Sequence, residues 1–124
     1  MNFKVLIGKY AIYKFAFGSV LPERICSGDF YSITKTMDEI SVIARQSDAI
    51  KGYIDCNKDW RIIRIAGTLD FSLVGIIADI SAIFKKKNIS IFTISTYDTD
   101  YFLIKQKDLD TGIQALIENK HNVL

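Results

Sequence analysis

The segment from Thr68 to Lys105 limits the folds open to this chain more than any other. An amphipathic stretch leads into an apolar strand, a polar turn and a second strand. In the amphipathic stretch, apolar residues recur every three or four positions, which predicts one face of a helix about four turns long. These residues are Leu73, Ile76, Ile77, Ile80, Ile83 and Phe84. Asp70 or Ser72 can cap the helix start, and the three lysines from position 85 suit its negative end.

Strands are predicted on both sides of this helix. Trp60–Ala66 is rich in β-branched residues and stops at Gly67. Ile89–Thr96 and Asp100–Gln106 are separated by a short turn, Tyr97–Thr99. We expect these two strands to form a hairpin.

A second helix and a short strand complete the C-terminal half. Asp108 or Asp110 opens the helix, and His121–Leu124 follows as a strand. The inward residues of this helix are Ile113, Leu116 and Ile117. The order is βαββαβ, the ferredoxin-like unit with an antiparallel sheet and both helices on one face.

The N-terminal half reads as a weaker copy of the same pattern. Phe3–Ile7 and Tyr10–Phe17 are strand-like. When Phe30–Arg45 is written under Ile91–Gln106 at a constant offset of 61, apolar positions coincide and Glu39 aligns with Asp100. If the two halves are duplicates, the N-terminal half should contain a strand at Ile40–Ala44 and a short helix at Ser47–Tyr53.

We therefore predict an α+β fold made of two ferredoxin-like units in tandem. The N-terminal unit covers residues 1–58 and is degenerate, and the C-terminal unit covers residues 59–124. Neither half buries enough surface to be stable alone.

Charge and composition argue against nucleic acid as a partner. Sixteen basic residues against fourteen acidic ones leave a net charge of +2, too small an excess for a phosphate-binding surface. Phe92, Tyr101 and Phe102 lie where some βαββαβ domains stack RNA bases, but the glycine-aromatic signature is missing. Phe92 and Phe102 are therefore expected in the core.

The cysteines and the apolar runs indicate a cytoplasmic protein. Cys26 and Cys56 lack metal-ligand or redox spacing, and we expect both to be free thiols in a reducing compartment. Lysines interrupt the N-terminal apolar stretch, so no signal peptide is predicted. The apolar runs are too short to cross a bilayer. No membrane partner, metal or cofactor is expected.

Gly75 lies one turn into the predicted helix, where glycine costs roughly 0.5–1 kcal/mol of stability relative to alanine. One explanation is that the missing side chain lets a small anion reach the free amides of the first turn. Another is that the helix packs too closely on a strand to admit a Cβ. Gly75 alone does not separate these explanations.

Polar residues gather at the turn that follows the strand Ile89–Thr96. Thr96, Tyr97, Thr99 and Asp100 offer hydroxyls, backbone groups and a carboxylate that could hold an ammonium or guanidinium. Aspartate and threonine also stabilise tight turns by themselves. Combined with an open helix start, the same residues suit a zwitterion held by both of its charges.

No catalytic arrangement is visible. His121 is the sole histidine, and no nucleophile, base and orienting group can be built around it. We expect no enzymatic activity, although an enzyme on a ferredoxin-like scaffold is a formal alternative.

Two strings carry a resemblance to a known family. The first runs Gly-Thr-Leu-Asp-Phe-Ser-Leu-Val-Gly-Ile-Ile-Ala from Gly67, and the second runs Asn-Ile-Ser-Ile-Phe-Thr-Ile-Ser-Thr-Tyr-Asp-Thr-Asp-Tyr-Phe-Leu-Ile-Lys from Asn88. Together they resemble the ACT-domain superfamily. Within it, they are similar to small tandem-ACT proteins related to the cytosolic arginine sensor and to aspartate kinase regulatory domains. The first half matches mainly from Phe30 to Val42.

The resemblance implies an allosteric module that binds a free amino acid between the helix start of one ACT unit and the strand edge of another. Gly75 and Ile76 would offer amides to the ligand carboxylate, and Ser90 and Ile91 would supply strand backbone contacts. The residues that would line the pocket are Thr96, Tyr97, Thr99 and Asp100, with Asp100 receiving the cationic group.

The arginine sensor has four such units where this chain has two, so the resemblance implies a homodimer with Gly75 of one subunit facing Ser90 of the other. The leading hypothesis is an amino-acid sensor that passes its occupancy to an unidentified effector protein. The alternative is a ligand-free interaction or dimerisation module.

Overall fold

The computed structural model describes residues 1–124 and divides them into two compact units. The C-terminal unit contains Met1–Ile7 and Trp60–Leu124, and the N-terminal unit contains Gly8–Asp59. Residues 1–7 thus belong with the C-terminal unit, whereas the sequence placed them in the N-terminal one. The reason is that the first strand pairs with strands of the C-terminal unit.

The elements follow the predicted order in the C-terminal half. In chain order they are β1 (Asn2–Val5), β2 (Tyr10–Ala16), β3 (Ser32–Lys35), β4 (Glu39–Arg45), β5 (Asp55–Ile65), α1 (Ile76–Lys86), β6 (Ile91–Ser95), β7 (Asp100–Lys105), α2 (Leu109–Glu118) and β8 (Asn122–Val123). Short 3-10 turns occupy Glu23–Cys26 and Gln106–Asp108. Neither α1 nor α2 has the length and hydrophobicity that a membrane-spanning helix requires.

The C-terminal unit contains the predicted βαββαβ order, with one added strand. Its strands lie in the order β6–β7–β5–β1–β8, and β1 occupies the place between β5 and β8. All neighbours are antiparallel except β1 and β8, which are parallel. This α+β, ferredoxin-like architecture confirms the predicted fold class.

Both helices of the C-terminal unit pack on one hydrophobic core. Alternate residues of β5 and β7, among them Ile63 and Phe102, face the buried Phe84 of α1 and Leu116 of α2. Alternation places residues i and i+2 on the same side of a strand, so this side is the one that the helices cover. Phe102 is buried in this core, as expected. Phe92, also expected in the core, is only partly buried.

The N-terminal unit is the degenerate one, because it contains no α-helix. Its strands β3, β4 and β2 pair in that order as antiparallel neighbours. Where α1 covers the C-terminal unit, this unit uses Ile25 of the first 3-10 turn and Ile50 of a loop, both buried with Tyr13 and Phe15 of β2.

The helix predicted at Ser47–Tyr53 is therefore wrong. Ser47 accepts a hydrogen bond from the Ala49 N–H on its hydroxyl (3.2 Å) and another from the Ile50 N–H on its carbonyl (3.2 Å), which forms an isolated turn. Gly52 then takes a φ of 86°, outside the helical region. Local bonding by a serine side chain competes with the helix at this point.

The internal repeat is present in the two hairpins, but at an offset of 60 instead of 61. Lys35 pairs with Ile40 in the first hairpin and Ser95 pairs with Asp100 in the second. In each turn a threonine hydroxyl contacts the carbonyl three residues later, at 3.3 Å for Thr36 and 3.1 Å for Thr96. The matching turns are thus Thr36–Glu39 and Thr96–Thr99.

Candidate functional site

The start of α1 differs from the prediction and exposes more backbone than expected. The helix begins at Ile76 instead of near Asp70, and Gly75 is its N-cap residue with a φ of 78°. Asp70 instead closes a turn, in which its Oδ1 accepts the Ser72 N–H at 2.8 Å and its carbonyl accepts the Leu73 N–H at 3.1 Å. Such turns are typical of aspartate.

The structure places Gly75 before the helix and excludes one of the two sequence-based explanations for it. Gly75 lies before the helix and not inside it, and its left-handed φ is what calls for glycine. A Cβ added there would meet no heavy atom within 4 Å, so close packing against a strand is excluded.

The amides at this helix start face no protein cap. No side chain caps Gly75, and the first intrahelical donor is the Asp79 N–H, which bonds to the Gly75 carbonyl at 2.9 Å. An α-helix leaves its first four N–H groups without an intrahelical partner, and the dipole makes that end attractive to anions. Here the four groups belong to residues 75–78.

The turn between β6 and β7 forms the opposite side of the site. The Thr96 N–H bonds to the Thr99 carbonyl at 2.9 Å, and Thr99, which is buried, donates its hydroxyl to the Ile65 carbonyl at 2.9 Å. The Leu69 N–H bonds to the Asp98 carbonyl at 2.7 Å and ties the segment before α1 to this turn. The helix start and the turn are therefore held together by backbone bonding.

One cavity of about 320 Å³ opens between the helix start and the turn. Six of the eight predicted site residues line it: Gly75, Ile76, Thr96, Tyr97, Thr99 and Asp100. The other contributors are Leu69, Asp70, Phe71, Leu73, Ile77, Ala78, Ser95 and Asp98. Its volume falls at the lower end of the range of small-molecule sites.

The charged side chains that line the cavity are all acidic. They are Asp70, Asp98 and Asp100. Hydrogen bonds from the Ser72 backbone and side chain lower the pKa of Asp70. Ser95 donates its hydroxyl to Asp100 Oδ1 at 2.6 Å, which orients the carboxylate and leaves Oδ2 for another donor.

An aromatic pair at the cavity was missed by the sequence reasoning. Phe71 and Tyr97 contact each other edge to face, with ring centroids 4.8 Å apart, although they are 71% and 80% exposed. Tyr97 was predicted to line the site, but nothing in the spacing of Phe71 connects it with a turn 26 residues away. The available signal in the sequence was the position of Phe71 between the two candidate cap residues, Asp70 and Ser72.

Ser90 and Ile91 do not line this cavity. They lie at the start of β6, beside a second cavity of about 470 Å³. That cavity is lined by Ala78, Ser81, Ala82, Lys85, Asn88, Ile89, Ser90 and Ile91. Within one chain the structure therefore brings together six of the predicted residues and separates these two from them.

His121 occupies a structural position. Its Nδ1 lies 2.9 Å from the Met1 amino group, and its ring contacts Phe3 edge to face at 5.4 Å. Burial and the nearby positive charge lower the pKa of His121. No group of three or more histidine, cysteine or acidic side chains is arranged to hold a metal ion.

Comparison with known proteins identifies the architecture. A family model for the ACT domain matches residues 55–118, and a model for an N-terminal domain matches residues 8–51. Among curated proteins, none matches this chain.

Solved structures share the fold over nearly the whole chain. A protein from Agrobacterium tumefaciens is 26% identical, with a TM-score of 0.86 over 99% of this chain and 91% of the other. A protein of unknown function from Vibrio cholerae is 17% identical, with a TM-score of 0.69 over 94% and 88%. The allosteric aspartate kinase of Clostridium acetobutylicum is 10% identical, with a TM-score of 0.66 over 94% of this chain and 33% of the kinase. With the family model covering 64 residues of the chain, these findings show that it belongs to the ACT domain family.

Proposed function

We propose that this chain is a non-catalytic regulatory module that binds a free amino acid at an interface between ACT units. The observation that carries the proposal is that the uncapped helix start at Gly75 and the carboxylate of Asp100 open on one cavity. An amino acid presents a carboxylate and an ammonium, and these two ends of the cavity are complementary to them.

The two charged groups of the ligand have different partners in this proposal. The ligand carboxylate accepts hydrogen bonds from the amides of Gly75 and Ile76, where the helix dipole favours negative charge. The ammonium bonds to Asp100 Oδ2, since Oδ1 is occupied by Ser95. Asp98 adds negative charge on the same side of the cavity.

A second copy of the chain completes the site. Ser90 and Ile91 lie outside the cavity of their own chain, at the start of β6. The β6 strand pairs only with β7, so its other edge presents backbone donors and acceptors. In a homodimer, these residues of the partner supply strand backbone contacts to the ligand held at Gly75.

Binding regulates a partner protein only if the ligand favours one arrangement of the interface over another. A reducing, cytoplasmic compartment is part of the proposal, since Cys26 and Cys56 have neither metal-ligand nor redox spacing in the sequence.

Calorimetric titration with the common amino acids tests the proposal. We expect one amino acid to bind saturably, and Asp100→Asn to weaken it at least tenfold, about 1.4 kcal/mol. Asp110→Asn is the matched control, because it removes the same charge from α2, away from the cavity. If no common amino acid binds to an intact dimer, the sensing proposal fails.

The alternative function is a ligand-free dimerisation module. The observation in its favour is the exposed β6 edge beside the cavity of about 470 Å³. Ser90→Arg places a long charged side chain at that edge and should shift the protein to monomer in sedimentation experiments under either function. Dimerisation without any amino-acid binding would favour the alternative. A catalytic turnover that depended on Asp100 or His121 would contradict both.

A further inference from the structure

The N-terminal unit contains a partly buried arginine, Arg45, whose side chain lies next to two glycines. Arg45 ends β4, and its guanidinium lies over the Tyr10 ring at 5.9 Å. A Cβ added at Gly8 would lie 2.7 Å from Arg45 Cζ, and one added at Gly28 would lie 3.2 Å from its Cγ. Both glycines therefore lie against the Arg45 side chain, and a side chain at Gly8 would collide with its guanidinium.

No acidic side chain neutralises this guanidinium. Arg45 belongs to none of the described ion pairs, which join Lys9 to Asp59, Lys87 to Glu118 and Lys107 to Asp108. Asp59 lies near this region, where its Oδ1 accepts a hydrogen bond from Gln46 Nε2 at 3.2 Å and lies 3.6 Å from Lys9 Nζ. A planar guanidinium with unused donors is suited to bidentate binding of carboxylate or phosphate.

Arg45 lines a cavity of about 320 Å³. The other lining residues are Arg24, Ser27, Gly28, Gln46 and Ser47. Arg24 is exposed and forms no ion pair, so the cavity has two cationic side chains and no acidic one in its lining.

The two serines of this cavity differ in the hydrogen bonds they can still make. Ser47 Oγ accepts the Ala49 N–H, which leaves its hydroxyl proton able to donate. Ser27 already donates its hydroxyl to the Arg24 carbonyl at 2.8 Å. Ser47 can thus act as a neutral donor beside the arginines.

We propose that this cavity binds a small molecule through an oxyanion group, a carboxylate or a phosphate. Arg45 is the bidentate donor, Arg24 the second cation and Ser47 the neutral donor. The site shares no lining residue with the amino-acid cavity. It therefore does not depend on the function proposed for that cavity.

The test follows the arginine side-chain N–H signals by NMR while inorganic phosphate or succinate replaces chloride at constant ionic strength. The chain has four arginines, so each signal can be assigned with single variants. We expect saturable shifts of the Arg45 and Arg24 signals with at least one probe. Phosphate alone identifies a phosphorylated ligand, and succinate alone identifies a carboxylate.

Three variants separate a binding site from a structural arginine. Arg24→Gln and Arg45→Lys should each raise the dissociation constant about tenfold. Arg64→Lys is the matched control, because Arg64 lies over Tyr101 at 5.8 Å in the C-terminal unit. Since Arg24 is exposed, Arg24→Gln should leave the melting temperature unchanged. The proposal is overturned if neither probe gives saturable shifts, or if Arg24→Gln binds as the parent does.

Discussion

Alanine substitutions at Gly75 and Gly67 should cost similar stability but affect ligand binding very differently. Both glycines have left-handed backbone, with φ of 78° and 88°, and a Cβ at either would meet no heavy atom within 4 Å. Left-handed backbone costs a residue with a Cβ roughly 1–2 kcal/mol. The lower chain entropy of the unfolded state offsets about 0.4–1 kcal/mol of this cost.

We therefore expect each variant to lose about 1 kcal/mol of unfolding free energy, or about 3–6 °C in melting temperature. Of these two glycines only Gly75 lines the cavity, so we expect a methyl group there to take up cavity space next to the first amides of α1. Gly75→Ala should weaken amino-acid binding at least tenfold, about 1.4 kcal/mol, while Gly67→Ala binds as the parent does.

Urea denaturation measures the stability half of this prediction, and calorimetry measures the binding half. Equal loss of binding in both variants would mean that backbone strain, and not access to the amides, controls the site. A much larger stability loss for Gly75→Ala would contradict the open space found around its Cβ.

Three further predictions concern the fold. Gly112→Ala should lower the unfolding free energy by about 1 kcal/mol in urea denaturation. The added Cβ would lie 2.8 Å from Ile104 Cδ1, and the cost of this overpacking exceeds the gain in helix propensity from glycine to alanine. A stabilised variant would refute this packing. Thr36→Ala and Thr96→Ala should each cost about 1 kcal/mol in the same assay, since the two turns use equivalent hydrogen bonds, and unequal losses would contradict that equivalence. Folding lowers the pKa of His121 from 6.5, so the unfolded chain binds more protons, and the unfolding free energy should fall as the pH drops through that value. His121→Gln should reduce this pH dependence. An unchanged profile of unfolding free energy against pH would refute the prediction.

The pattern of apolar residues was sufficient to predict the fold class but not the helix start. Periodicity from Ile76 to Phe84 and alternation in Asp100–Lys105 reflect burial, which the structure shows at Ile80 and Phe102. The same pattern placed the helix start too early, because Leu73 continues the apolar spacing although it is 52% exposed and precedes Gly75, the N-cap residue with a positive φ.

Hydrogen bonding that apolar patterns do not encode explains the remaining errors. The repeat was aligned one residue out of register, since the equivalence of the turns rests on the hydroxyls of Thr36 and Thr96. Phe71 was missed because its contact with Tyr97 belongs to the folded backbone, in which the Leu69 N–H bonds to the Asp98 carbonyl.

Backbone amide NMR reports on the proposed contact itself, in which the uncapped start of α1 holds the carboxylate of an amino acid. On titration with the amino acid that calorimetry selects, the amide signals of Gly75 and Ile76 should shift with saturation, and that of Gly67 should not. Saturable binding that leaves the Gly75 and Ile76 amides unmoved would contradict the account.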